Sequence, residues 1–196
     1  MPSVELATIA AGFLLALAPM AVAAGRSRQA SGFIYGASGA LCVVLMLTGL
    51  LALIGNGPDT ALTLPLGLPW LGVHLRLDAL SAFFLVVLGI GGGVTSLYAI
   101  GYGRHEHEPH RVLPFYPAFL GAMALVLLAD DAFTFLMCWE IMSLMSWALV
   151  LTHHREAATR EAGYVYLVMA SFGTMVLLLA FGLMAGPDGN YAFDAI

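Results

Sequence analysis

The sequence predicts an all-α membrane protein with six transmembrane helices. Three observations carry that prediction. Hydrophobic residues make up 61% of the 196 and charged residues only 10%, whereas soluble domains average about 45–50% and about 25%. Mean hydropathy is +0.92. Six apolar runs have the length a bilayer core demands, about 20 residues each. They cover roughly residues 4–24, 33–55, 79–101, 112–129, 132–152 and 162–185.

The first run has the small residues of a leader cleavage site in "APMAVAAG". It reads as a spanning helix instead. Its leader carries Glu5 and no positive charge, and Arg26 and Arg28 follow it, the reverse of a signal peptide. Gly32 and Gly36 open the second run as a small-xxx-small pair, and Gly89 and Gly93 form another in the third. Such pairs let helices approach closely in lipid. The "GIGGG" in the third run has no strand before it and lies inside a spanning segment, so it is not a phosphate loop.

The connections are read from their turn residues. Between the second and third runs, "GNGPDTALTLPLGLPWLGVHLRLD" combines Pro and Gly with alternation. It predicts an extended or hairpin-like segment at the surface. "YGRHEHEPHRVLP" follows the third run; its His105, His107 and His110 lie among acids and read as a solvated loop more than a metal site. "ADD" is a very short turn between the fourth and fifth runs, and "THHREAATREAG" joins the fifth to the sixth. Four segments result: a helix pair over 1–57, a connecting segment over 58–78, a helical domain over 79–185 and a loop over 186–196.

All seven basic side chains are Arg, and there is no Lys. The connections after the first, third and fifth runs hold Arg26, Arg28, Arg104, Arg111, Arg155 and Arg160, and the other connections hold only Arg76. The positive-inside rule then predicts an outside N-terminus, with 58–78 extracytoplasmic. The formal charge of -5 offers no basic patch for nucleic acid. Cys42 and Cys138 sit in separate apolar runs and suggest neither a disulfide framework nor a zinc site. No cofactor is expected.

One residue breaks the apolar pattern. Glu140 lies in "FLMCWEIMSLMSW", nine residues after Asp131 and thirteen before His153. At 1.5 Å per residue those are roughly 14 and 20 Å, which puts it near mid-membrane. A charged acid there costs ~2.5–3.5 kcal/mol even on lenient insertion scales. Glu140 is therefore the candidate proton-translocating group, against a bland role as a protonated hydrogen-bond donor between helices. Ser143 lies on the same side of the helix and could hold a water or bond the acid, or simply pack. Asp130 and Asp131 suit a helix start, and His153 and His154 a helix end. Their functional alternatives are the rim of an exit path and a proton entry relay. Tyr164, Tyr166, Ser171 and Thr174 in the sixth run read mostly as packing residues.

Two stretches carry a family resemblance. "LRLDALSAFFLVVLGIGGGVTSLYAIGY" and "LLADDAFTFLMCWEIMSLMSWALV" are similar to the antiporter-like subunits of complex I, of the Mrp cation/proton antiporters and of membrane-bound hydrogenases. The "W-E-x-M-S-L" core is the most specific part. The wording most resembles the branch formed by the hydrogenase-4 and formate hydrogenlyase membrane subunits. The resemblance implies that these are the first six of about fourteen helices. It also implies that Glu140 works with a lysine on the family's seventh helix, which these residues do not contain. The chain is expected to be a fragment or one piece of a split subunit.

The implied function is proton translocation, or sodium in its place, coupled to electron transfer in partner subunits of a respiratory-type redox complex, with no redox site in this chain. The alternatives are an Mrp-type cation/proton antiporter subunit and a non-transporting scaffold. Partners would be membrane and peripheral subunits and the lipid bilayer, in the inner (cytoplasmic) membrane.

Overall fold

The computed structural model describes residues 3–24, 28–55, 59–66, 72–102, 111–186, 189 and 191–196. Within them the chain forms α1 (Ser3–Ala24), α2 (Arg28–Ile54), β1 (Thr60–Leu64), β2 (Val73–Leu77), α3 (Ala79–Tyr102), α4 (Phe115–Leu128), α5 (Ala132–Val150) and α6 (Ala157–Met184). Five helices are long and apolar enough to cross a membrane. The helix-rich architecture predicted from composition is the one observed. His105, His107 and His110 lie outside the described residues.

The fourth run differs from expectation. Its helix has 14 residues, about 21 Å of rise, well under the ~30 Å hydrocarbon core. Val112 and Leu113 form a turn instead of helix. The physical reason is Pro114, which disfavours helical geometry in the residue before it. Pro117 falls in the first turn, where its missing N–H costs little. Short as it is, α4 is the central element. It packs on α1, α5 and α3, and Ala118, Leu120, Ala122, Ala124 and Leu128 are buried.

α2 and α3 make the most extensive helix pair. Glycine allows the approach, though only in part where the sequence suggested. A Cβ on Gly89 would stand 2.6 Å from the Cys42 carbonyl oxygen, and one on Gly49 2.5 Å from that of Ala82. A Cβ on Gly32, Gly36 or Gly93 would meet nothing within 4 Å, so among the described residues those three are not close-approach positions.

The helices run up and down, so one face collects the starts of α1, α3 and α5 and the ends of α2, α4 and α6. The hairpin covers this face. β1 and β2 pair antiparallel with Thr60 opposite Leu77 and Leu64 opposite Val73. The Ser3 and Thr60 hydroxyls are 3.2 Å apart, tying the start of α1 to β1. Asp78 caps α3 by accepting the Ser81 amide at 2.7 Å. The hairpin was expected at the surface, yet Val73, Leu75 and Leu77 are buried in the main core with α1, α3 and α4. Period-2 alternation buries one side of β2 and leaves His74 and Arg76 on the other.

α6 is peripheral. It packs mainly on α5, and Gly163 is its one buried residue. Tyr164 and Ser171 are exposed, and Thr174 donates to the Ala170 carbonyl in its own helix at 3.2 Å.

Candidate functional site

α5 starts at a strong signal. Asp131 takes an extended backbone (φ -142°, ψ 155°) and accepts the Thr134 amide at 2.7 Å, the arrangement of an N-cap. Its second carboxylate oxygen accepts the Thr134 hydroxyl at 2.6 Å. The far end closes in a 3-10 turn at Leu151–His153. There Arg160 donates to the carbonyls of His154 and Arg155, both at 3.0 Å, as cations commonly do at helix ends. The Arg111 guanidinium lies against the His154 ring, 3.1 Å from Nε2. The His153 side chain lies outside the described residues.

Glu140 sits in the interior of this helix and is half-buried. Leu136 and Ser143 are buried on one side of α5, with Thr134 and Cys138 buried on the opposite one, and at 3.6 residues per turn Glu140 projects about 40° from Leu136. No hydrogen bond or ion pair engages it among the described residues. Ser143 is buried close by, without a bond to the acid.

Asp130 and Asp131 do not join Glu140. They belong to a polar cluster on the hairpin face. Asp131 is 2% exposed and also accepts from the His74 backbone amide at 3.3 Å and faces its Nδ1 at 3.2 Å. Arg76 pairs with Asp130 at 2.9 Å. The Asp130 amide donates to the His74 carbonyl at 2.9 Å, and Leu75 and Ala129 form a β-bridge. On its other side the connector pairs with the C-terminal segment. The Ala132 amide donates to the Tyr191 carbonyl at 2.9 Å, and Asp131 bridges Ala192. "ADD" is thus a short strand-like link between the hairpin and residues 191–193, not merely a turn. A pocket of about 290 Å3 opens beside it, lined by His74, Asp130, Asp131, Tyr191 and Asp194 among others.

Burial pushes the Asp130 carboxyl above the ordinary carboxylate range. Arg76 pulls it back, Asp194 and Asp131 push it up, and His74 pulls it down. His74, Arg76 and Asp194 are not among the residues that the sequence singled out. A signal existed for the first two: the alternation in "VHLRL" puts two basic side chains on one strand face, beyond which an acidic pair waits.

The family model described as NADH:quinone oxidoreductase/Mrp antiporter, TM, matches residues 129–196. That stretch begins at the strand-like connector and contains α5 and α6. Hydrogenase-4 component B of Escherichia coli is 35% identical over 61% of this chain and 18% of its own length. The N 1 subunit of the NADH-quinone oxidoreductase of Sorangium cellulosum is 30% identical over 84% of this chain and 32% of its own. A chain of the Mrp complex from Dietzia sp. superposes with a TM-score of 0.74 at 24% identity, over 97% of this chain and 20% of that one.

The chain belongs to the antiporter-like membrane-subunit family of complex I and the Mrp antiporters. It is accordingly a multi-pass membrane protein. It spans between about an eighth and a third of the length of the curated relatives it matches. The solved members that it resembles in fold are subunits of multi-subunit membrane complexes.

Proposed function

We propose that the chain acts in a proton-translocating membrane subunit of a respiratory-type redox complex, hydrogenase-4-like or NADH-dehydrogenase-like, with Glu140 as the group that gains and loses the proton. One observation carries this reading: Glu140 stands mid-helix in a membrane-spanning segment with no partner of its own among the described residues. An intramembrane acid so placed changes protonation state when a movable cation approaches or leaves. The chain contains no Lys and its seven Arg fall in connections or at helix ends of the sequence, so that cation comes from polypeptide outside these 196 residues. The membrane potential contributes about 2.3 kcal/mol per charge per 100 mV, the scale against which the proton would be moved. The Arg distribution supports an N-terminus outside the inner membrane, with the hairpin face extracytoplasmic.

A second reading, an Mrp-type cation/proton antiporter subunit, is favoured by the family description, which joins the two kinds of complex. One experiment tests both. Glu140→Gln is placed in the complete complex, and proton uptake into inverted vesicles is followed during redox turnover and under an imposed sodium or potassium gradient. Loss of turnover-driven uptake supports the redox-coupled reading, and loss of gradient-driven exchange supports the antiporter. Unchanged coupling and pH dependence under both drives would leave Glu140 as a scaffold hydrogen-bond donor.

A further inference from the structure

We propose that His74 is a positioning residue for α5: through Asp131 it clamps the start of the helix that carries Glu140, and the clamp tightens when the imidazole is protonated. The inference rests on the reading of Glu140 given above.

The geometry makes one carboxylate serve two elements. Asp131 caps α5 through Thr134 and holds β2 through both the backbone and the ring of His74. The Asp130 amide returns a bond to the His74 carbonyl. Three attachments between one strand residue and two consecutive residues make β2 and the first turn of α5 a single unit. β2 is itself anchored by Val73, Leu75 and Leu77 in the core. Glu140 lies nine residues on, about 14 Å along a helix that transmits a rotation or shift from its start. α5 packs chiefly on α4 and less on α6, and the hairpin end adds the polar attachment at its first turn.

The His74 side chain is 39% exposed while that of Asp131 is 3% exposed. Water therefore reaches the imidazole, which can trade a proton, while the carboxylate stays fixed between its donors. A hydrogen bond with one ionised partner is roughly twice as strong as one between neutral groups, and an imidazolium facing a carboxylate makes both partners ionised. The charged groups around the ring are Asp131, Asp130 and Arg76, with Asp194 across the pocket. Protonation adds a positive charge facing Asp131, so the clamp strengthens as pH falls and relaxes as pH rises.

The test compares His74→Asn, which keeps a donor near the Nδ1 position but does not titrate, with His74→Ala. Amide hydrogen exchange over Asp131–Leu136 is measured in the assembled complex between about pH 5 and 8, the range in which imidazoles change charge, after correction for intrinsic exchange rates. The wild type should show a pH step in protection. His74→Asn should retain protection without the step, and His74→Ala should exchange about fivefold faster, the effect of losing one hydrogen bond. A flat wild-type profile, a step that survives in His74→Asn, or wild-type protection in His74→Ala would overturn the clamp. Proton uptake by Glu140→Gln is read in parallel. A persisting step with normal uptake in that variant sinks the role of Glu140 and leaves the clamp standing. Lost uptake in that variant with no step in the wild type does the reverse.

Discussion

The Thr134 amide donates to Asp131 at 2.7 Å, and the Thr134 hydroxyl reaches the other oxygen of the same carboxylate at 2.6 Å. Both residues are buried. The start of α5 is therefore fixed by a side chain that water barely touches.

Asp131→Ala should be among the costlier substitutions in this chain. Loss of an N-cap costs about 1 kcal/mol. Each buried donor left without a partner adds roughly 1–3 kcal/mol, and the Thr134 hydroxyl and the His74 amide both lose theirs. A total of roughly 3–7 kcal/mol is expected, read as a lower melting temperature in detergent. Asp131→Asn keeps an acceptor and a good cap and should lose less than half as much. Equal melting temperatures for Asp131→Ala and wild type would show that the cap is dispensable.

Asp130 predicts a pH effect whose sign is set by its environment. Burial raises its pKa, so the folded state favours the neutral acid more than the unfolded state does. The contribution to stability is present at acid pH and fades as pH rises through the raised value. Arg76→Gln removes the main influence that lowers it, so the carboxyl should titrate at higher pH still. Carboxyl carbon NMR of labelled aspartate can follow this directly, with Asp130→Asn assigning the signal. A downward shift in Arg76→Gln would contradict the Asp130–Arg76 pair.

The helices were legible because each is a long apolar run, and a bilayer span leaves few other ways to satisfy the backbone. Glu140 was legible because a lone acid in such a run stands out. The hairpin-face cluster was not, since His74 and Asp131 are 57 residues apart in sequence and nothing local links them. The burial of Leu75 was hidden for a similar reason. A five-residue alternating strand shows that one side is apolar, but only tertiary packing decides whether a core or a lipid surface covers it. The short α4 shows a further limit. Hydropathy continues through Val112 and Leu113, and the helix boundary is set by Pro114.

Glycine spacing gives the sharpest contrast between pattern and packing. Gly89 and Gly93 sit one turn apart on α3 and look equivalent in the sequence. A Cβ at Gly89 would meet the Cys42 carbonyl oxygen at 2.6 Å, the Met46 amide nitrogen at 2.7 Å and the Met46 Cβ at 2.6 Å, while at Gly93 it would meet nothing within 4 Å. Two of the Gly89 contacts are backbone atoms, which cannot rotate aside, so α2 and α3 would have to separate. Gly89→Ala should then cost about 1–3 kcal/mol, the usual penalty for overpacking a tight interface. Gly93→Ala should be neutral or slightly stabilising, since alanine favours helix over glycine by about 1 kcal/mol. Thermal unfolding of the two variants in the same detergent measures the difference. Similar melting temperatures, or a loss confined to Gly93→Ala, would mean that the α2–α3 interface is looser than these distances imply.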